Sequence, residues 1–174
     1  MAKFVIHISK EYLKFSSAHF TIFDDNNVER LHGHNYYVST DIECRDNENG
    51  ITFDFKHLKR MMQALCDQLD EKILLPTESK YLKLSKNRDQ FEVVFTGSGF
   101  SKNYSFPCED VEILPISNVT SELLAKYICD AFCRKLESTW NENNPDKEIV
   151  SFVIAVSVKI EETKGQSASY VWEY

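Results

Sequence analysis

The chain has little glycine and proline and no excess of basic residues. Among 174 residues there are 5 glycines and 4 prolines, while 43% of the residues are apolar and 13% are aromatic. This composition is typical of a globular protein and argues against a disordered or collagen-like chain. The formal net charge of −7 does not favour binding to phosphate backbones, which requires clustered lysine and arginine, so we expect no nucleic-acid partner.

The sequence also lacks a long apolar run and a C-x-x-C motif. No segment is long enough to span a bilayer, and the N-terminal residues alternate in polarity instead of forming the apolar core of a signal peptide. The 5 cysteines are odd in number, which favours reduced thiols over a disulfide framework. We therefore expect a cytoplasmic protein without membrane contact, formed by a single domain over residues 1–174.

Alternation of apolar and polar residues predicts strands at both ends of the chain. Residues Phe4–Thr21 and Asn35–Cys44 alternate with a period of two and are separated by a polar turn. A short final strand is predicted at Ser169–Trp172. In the strand before it, one face carries an apolar row that continues to Glu162, formed by Val150, Phe152, Ile154, Val156, Val158 and Ile160.

Two segments have the apolar spacing of three and four residues that is typical of helices with one buried face. Asp54 can cap the first, which should end near Leu69, and residues 118–120 can cap the second, which should extend to about Ser138. Between them, residues 72–117 form an insertion in which two strand-like runs flank a GSGFSK turn and predict an extra hairpin. The predicted class is α+β.

Three of the histidines are expected to meet in the first pair of strands. His32 and His34 are two residues apart, so both side chains project from the same face of a strand. His19 lies on the strand that should pair with this segment and is the natural third ligand. Three imidazoles with one open position suit catalytic zinc, and iron and copper stay open as alternatives.

The stretches FSSAH and LHGHNY resemble the signature of the 6-pyruvoyl-tetrahydropterin synthase and 6-carboxytetrahydropterin synthase family. ITFDFKHLK, NVTSELLA and KIEET are also similar to family segments, so the resemblance covers nearly the whole chain outside the insertion. It implies the tunnelling fold, β-β-α-α-β-β with an antiparallel sheet, assembled as a homo-hexamer from two trimers. It also implies that the histidine trio binds Zn²⁺ and that a pterin substrate is held by Thr120, Glu122 and Glu162.

Two positions depart from the family pattern. Members usually have a catalytic cysteine where this chain has Val28, and the nearby Glu29 resembles a variant subgroup in which glutamate replaces the cysteine. That subgroup cleaves dihydroneopterin-type side chains in a retro-aldol step, for which a base must remove a hydroxyl proton. Members also carry Asp-His after the first helix to relay protons, where this chain has Asp70 and Glu71.

These features together predict a zinc-dependent pterin lyase that acts on 7,8-dihydroneopterin or its triphosphate. Its product would be 6-hydroxymethyl-7,8-dihydropterin, with Glu29 as the base and with Asp70 and Glu71 as the catalytic relay. One alternative is 6-pyruvoyl- or 6-carboxy-tetrahydropterin synthesis with a different base. Another is a degenerate family member that binds zinc and pterin without turnover.

Overall fold

The structure is a computed structural model that describes residues 2–46, 50 and 53–174. In chain order, its elements are β1 (Lys3–His19), β2 (His32–Arg45), α1 (Phe55–Leu69), β3 (Lys72–Pro76), β4 (Leu82–Asn87), β5 (Gln90–Thr96), β6 (Ser101–Pro107), β7 (Val111–Leu114), α2 (Ser121–Asn143), β8 (Val153–Thr163) and β9 (Gln166–Glu173). No helix among these described residues combines the length and the apolar character needed to cross a membrane. The predicted order of two strands, two helices and two strands is confirmed.

A six-stranded sheet in the order β7-β3-β1-β2-β8-β9 forms the centre of the fold. The predicted antiparallel pairing is correct for β1, β2, β8 and β9. However, β3 and β7 extend this sheet as parallel strands. Parallel neighbours require a crossover, which the chain makes through α1 before β3 and through the insertion before β7.

Both helices pack on one face of this sheet and bury the main core. α1 begins after Asp54, whose carboxylate accepts a hydrogen bond from the Lys56 amide at 2.8 Å, and ends at Leu69 as predicted. α2 extends beyond the predicted end near Ser138. The ring of Trp140 in this last part stacks on Phe152 with centroids 5.3 Å apart, and this aromatic contact supports the additional helical turn.

The buried row of β8 differs from the predicted row at its start. The sequence predicts Val150 and Ile154 on the buried face, but Val150 is 43% exposed and Val153 is fully buried instead. Val150 lies before β8, in a short 3-10 helix over Ile149–Ser151, so strand alternation does not apply to it. Within β8 the register against β2 shifts, so Ile154 is the extra residue of a β-bulge and Val153 is buried instead. From Val156 onward the predicted row is correct, and it leads to Glu162.

The insertion contains more structure than the predicted hairpin. Strands β5 and β6 form that hairpin, but β4 pairs with β5 as well, which gives a separate three-stranded sheet that we call the insertion sheet. The sequence signal for β4 is weak because its LKLSKN run is short and ends in polar residues. A second hydrophobic core joins this sheet to residues 20–31, the connection between β1 and β2, and contains Phe20, Ile22, Leu75, Val93, Phe95 and Val111.

Candidate metal centre and adjoining pocket

The structure brings together the three predicted metal ligands, His19, His32 and His34, which we call the histidine cluster. His19 and His32 lie directly opposite each other in the antiparallel pairing of β1 and β2. His34 follows on the same face of β2, and its ring centroid is 4.8 Å from that of His32 and 5.4 Å from that of His19. One ring nitrogen of each residue lies within 4.8 Å of the other two, a spacing that suits binding of one ion.

Backbone carbonyl groups fix the tautomers of two of these histidines. Nδ1 of His19 lies 3.0 Å from the Val119 oxygen, and Nδ1 of His32 lies 2.8 Å from the Arg30 oxygen. A carbonyl oxygen only accepts hydrogen bonds, so each Nδ1 must carry the proton and each Nε2 must offer its lone pair. Burial also lowers the pKa of His19 and keeps the imidazole neutral, the form that binds metals.

The histidine cluster is surrounded by hydrogen-bond acceptors, and few protons are available to bond to them. Glu162 places Oε1 at 3.3 Å from Nε2 of His34 and at 3.5 Å from Nε2 of His19. The buried Tyr36 hydroxyl lies 3.0 Å from the same His19 nitrogen and 3.3 Å from Glu162, and its single proton cannot serve both partners at once. A cation would relieve this crowding of lone pairs, so the residues present fit a bound divalent metal ion.

Glu29 lies at the edge of the cluster. One of its carboxylate oxygens is 4.0 Å from Nε2 of His32 and accepts a hydrogen bond from the Thr21 amide at 2.9 Å. Burial raises the pKa of this carboxyl, but the hydrogen bonds from Thr21 and the proximity of His32 outweigh burial, so the net pKa lies below its ordinary value. Glu29 is therefore ionised at neutral pH, as a general base must be.

A pocket of about 450 Å³ adjoins the histidine cluster. It contains the three residues that the family resemblance assigns to pterin binding, since Thr120, Glu122 and Glu162 line it together with His19. Thr120 is also the N-cap of α2, so its side chain is fixed at the start of that helix. The exposed ring of Phe23 forms part of the wall and offers an apolar surface beside these polar groups.

The predicted relay residues lie elsewhere in the same chain. Asp70 ends α1 and accepts a hydrogen bond from the Ser16 amide at 2.7 Å. Glu71 has a φ of 56°, an uncommon conformation for a residue with a side chain, and its amide donates to the Ser16 oxygen at 2.8 Å. It lines a different pocket of about 460 Å³, which His34 of the histidine cluster lines as well. One chain therefore does not place Glu71 in the pocket beside Glu162.

Two further residues build the site: the sequence predicts no role for Tyr36 and only a helix-capping role for Asn118. Tyr36 follows His34 by two residues, so the same strand alternation that selects the histidines could have selected it. The Asn118 side chain accepts from the Ile22 amide at 3.1 Å and donates to the Ile22 oxygen at 2.8 Å, which ties the 20–31 connection to the start of α2. No local sequence pattern predicts that long-range contact.

Comparisons with known proteins give a consistent result. Residues 7–173 match the sequence model of 6-pyruvoyl tetrahydropterin synthase. A protein of Methanocaldococcus jannaschii, provisionally named 6-carboxy-5,6,7,8-tetrahydropterin synthase, is 33% identical over 161 residues, which cover 91% of this chain and 89% of that protein. A protein of Pyrococcus abyssi with the same provisional name is 30% identical over 67% of this chain and 68% of its own length.

The fold is also similar to that of solved structures. The crystal structure of Plasmodium vivax 6-pyruvoyltetrahydropterin synthase has a TM-score of 0.87 and 25% sequence identity, with full coverage of both chains. Another structure of that protein, with the same score and coverage, is a variant in which a glutamate called the catalytic residue is replaced by alanine. In the structure of the Caenorhabditis elegans enzyme the similarity is one of fold alone, at a TM-score of 0.52 and 18% identity.

Proposed function

The chain belongs to the 6-pyruvoyl tetrahydropterin synthase family, and from this premise we propose that it is an enzyme of pterin biosynthesis that requires a divalent metal ion. The observation that carries the proposal is the position of the histidine cluster at the wall of a pocket lined by Glu122 and Glu162. Such a pocket joins a Lewis-acid site to groups that recognise a pterin. Zinc is the metal that three imidazoles and an open position suit best.

Tetrahydropterin synthesis is the reaction we propose first. The sequence alone favours side-chain cleavage of dihydroneopterin, but the relatives from M. jannaschii and P. vivax carry the names of tetrahydropterin synthases. Their names support the alternative instead. The substrate we propose is accordingly a 7,8-dihydroneopterin, with or without its triphosphate.

Cleavage to 6-hydroxymethyl-7,8-dihydropterin is the second candidate, and Glu29 is the residue that favours it. Its carboxylate lies beside His32, in the neighbourhood where the family resemblance expects a cysteine thiol. The catalytic glutamate of the P. vivax protein supports a glutamate base in this family but is compatible with both reactions, because that protein is named a synthase. Identification of the product therefore decides between them.

Four residues in or beside the pocket have a part in the proposed mechanism. Glu162 and Glu122 accept hydrogen bonds from the amino and ring N–H groups of the pterin, an edge that matches the two oxygens of a carboxylate. The histidine cluster would hold a metal ion, which would supply Lewis acidity toward an oxygen of the substrate side chain. Glu29 is the base that takes the proton of a substrate hydroxyl. Tyr36 keeps its own proton because burial and the nearby Glu162 raise its pKa. With the Nε2 lone pair of the neighbouring histidine directed at a metal ion, the Tyr36 hydroxyl would donate to Glu162 and orient that carboxylate.

We propose that the relay acts on substrate bound by a neighbouring subunit. Neither Asp70 nor Glu71 lines the pocket of Glu162, and Glu71 lies instead in the pocket on the other side of His34. We propose the homo-hexamer that the family resemblance implies as this assembly. A cytoplasmic location also belongs to the proposal, and the free cysteines agree with a reducing compartment.

The test is incubation of the metal-loaded protein with 7,8-dihydroneopterin and with its triphosphate, followed by mass spectrometry of the products. A tetrahydropterin with a pyruvoyl or carboxy side chain supports the first candidate, and the hydroxymethyl product supports the second. Glu29→Gln should lower turnover by about 10²–10⁴-fold with unchanged metal content, because it keeps the size and polarity of the side chain but removes the base. Glu11→Gln, at an exposed site in β1, is the matched control. Full activity of Glu29→Gln together with loss of activity in Glu71→Gln would assign the base to Glu71, and a parent protein without any product would support the degenerate member.

A further inference from the structure

The insertion sheet packs directly on the connection that carries Glu29. Residues alternate along β6, and its inner face presents Lys102, Tyr104 and Phe106 toward the second hydrophobic core. The ring of Tyr104 stacks on that of Phe20, with centroids 5.5 Å apart. The 20–31 connection therefore packs on a surface that the insertion sheet provides.

Lys102 binds the backbone of this connection at the position of Glu29. Its Nζ donates to the Glu29 carbonyl oxygen at 2.8 Å and to the Val28 carbonyl oxygen at 3.2 Å. A lysine ammonium group has three donors and no acceptor, so two adjacent carbonyls are well matched partners. The side chain is half-buried at this place, which limits competition from water.

A second contact lies at the turn between β5 and β6. The Ser98 amide donates to the Asp25 carbonyl oxygen at 2.9 Å, and the Ser98 hydroxyl bonds to the Asp25 carboxylate. Gly97 is in such close contact that a Cβ built there would lie 2.3 Å from the same Asp25 oxygen. Any larger residue at position 97 must push the connection away from the insertion sheet.

Within the connection, two hydrogen bonds transmit this anchoring to the Glu29 side chain. The Glu29 amide donates to the Thr21 oxygen at 2.9 Å, and the Thr21 amide donates to the Glu29 carboxylate, also at 2.9 Å. The carbonyl of Glu29 is the group that Lys102 binds. Backbone and side chain of the proposed base are thus fixed from two sides.

We propose that the insertion sheet is a platform that positions Glu29, with Lys102 as the positioning residue and the Gly97–Ser98 turn as a second anchor. The catalytic part of this inference rests on the proposed function, in which Glu29 is the base. The structural part, that Lys102 holds the connection in place, does not depend on any activity. Each part therefore has its own measurement.

The structural part is tested by hydrogen exchange in Lys102→Met, which keeps most of the apolar stem but removes the donor. Amide protection at Phe23 and Glu29, which donate within the connection, should fall by about tenfold or more, while α2 stays protected. Lys83→Met, at an exposed site on β4 of the same sheet, should leave the protection unchanged. Lys102→Arg supplies hydrogen-bond donors at the same position and should therefore keep the amide protection of the parent protein. Unchanged protection in Lys102→Met overturns the proposal whatever the activity.

The catalytic part is tested by kinetics of the same variants. Lys102→Met should lower kcat by about 10- to 100-fold with unchanged metal content and with a smaller change in KM, since the base is displaced whereas Glu122 and Glu162, which we propose hold the pterin, do not lie on the connection. Adding it to Glu29→Gln should cause little further loss, because both changes disable one group. Gly97→Ala should act in the same direction as Lys102→Met.

The outcomes separate the two proposals. Full kcat in Lys102→Met despite lost protection overturns the link to catalysis, and additive losses in the double variant do the same. A parent protein that forms no pterin product refutes the proposed function and with it the catalytic part. In that case, loss of protection in Lys102→Met still supports the anchoring.

Discussion

Replacing Glu162 by glutamine should weaken pterin binding and leave the metal in place. The carboxylate lies at the boundary of two sites, because Oε1 is 3.3 Å from Nε2 of His34 while Oε2 is 3.5 Å from the Ser121 hydroxyl in the adjoining pocket. Glutamine has nearly the same shape but lacks the charge, and only one of its two terminal groups accepts hydrogen bonds. The substitution therefore tests charge and acceptor number with little change in packing.

The expected loss of pterin affinity follows from the strength of the hydrogen bonds that Glu162 would accept. A hydrogen bond to a charged group contributes about 1.5–3 kcal/mol, which corresponds to a loss of about 10- to 150-fold in affinity. The side chain of Glu162 is only 27% exposed, so solvent weakens the interaction only in part. Calorimetric titration with an unreactive pterin gives the affinity, and metal analysis of the same sample gives the occupancy.

Glu161 offers a matched control in the next position of the chain. It projects from the other face of β8, where it lies 3.7 Å from the Lys159 ammonium group, so Glu161→Gln should change neither affinity nor metal content. Equal pterin affinity in Glu162→Gln and in the parent protein would refute the anchoring role. Loss of metal in Glu162→Gln would instead identify this carboxylate as a metal ligand.

Three further predictions concern the metal, the start of α2 and the assembly. His32→Ala should abolish stoichiometric metal, measured by elemental analysis, and a fully loaded variant would contradict the ligand assignment. Thr120→Ala should lower the free energy of unfolding by about 1 kcal/mol in urea titrations, because the hydroxyl accepts a hydrogen bond from the Leu123 amide, and Thr120→Ser should recover it. Light scattering should give a trimer or a hexamer, whereas a monomer at working concentration would contradict a relay supplied by a second copy.

The histidine cluster is the part of the site that was predictable from the sequence, because it depends on strand alternation and on one local pairing. The spacing of two residues places His32 and His34 on one face of β2, and the pairing of β1 with β2 brings His19 opposite His32. The same rule predicted the wrong residues at the start of β8, because a short 3-10 helix precedes the strand and a bulge then reverses the phase. Whether a bulge is present depends on the partner strand and is not readable from one segment.

The support of Glu29 and of the 20–31 connection was beyond local patterns. Lys102 looks like an ordinary polar residue of an edge strand until the fold brings it to the Glu29 carbonyl. The Asn118 side chain could be assigned as a helix cap, but in the structure it bonds to the backbone of Ile22. The position of Glu71, away from the pocket of Glu162, depends on where α1 ends relative to the sheet.

The histidine cluster lies within one strand pair, and this determines which of its contacts can form first during folding. His19 and Tyr36 are 17 residues apart, whereas the contacts of His19 with Val119 and of Glu29 with Lys102 close loops of 100 and 73 residues. Closing 100 residues instead of 17 costs about 1.5 kcal/mol more in chain entropy. We therefore expect the imidazoles to converge while the β1–β2 hairpin forms. The hydrogen bond of His19 to Val119 and that of Lys102 to Glu29 should follow when α2 and the insertion sheet dock.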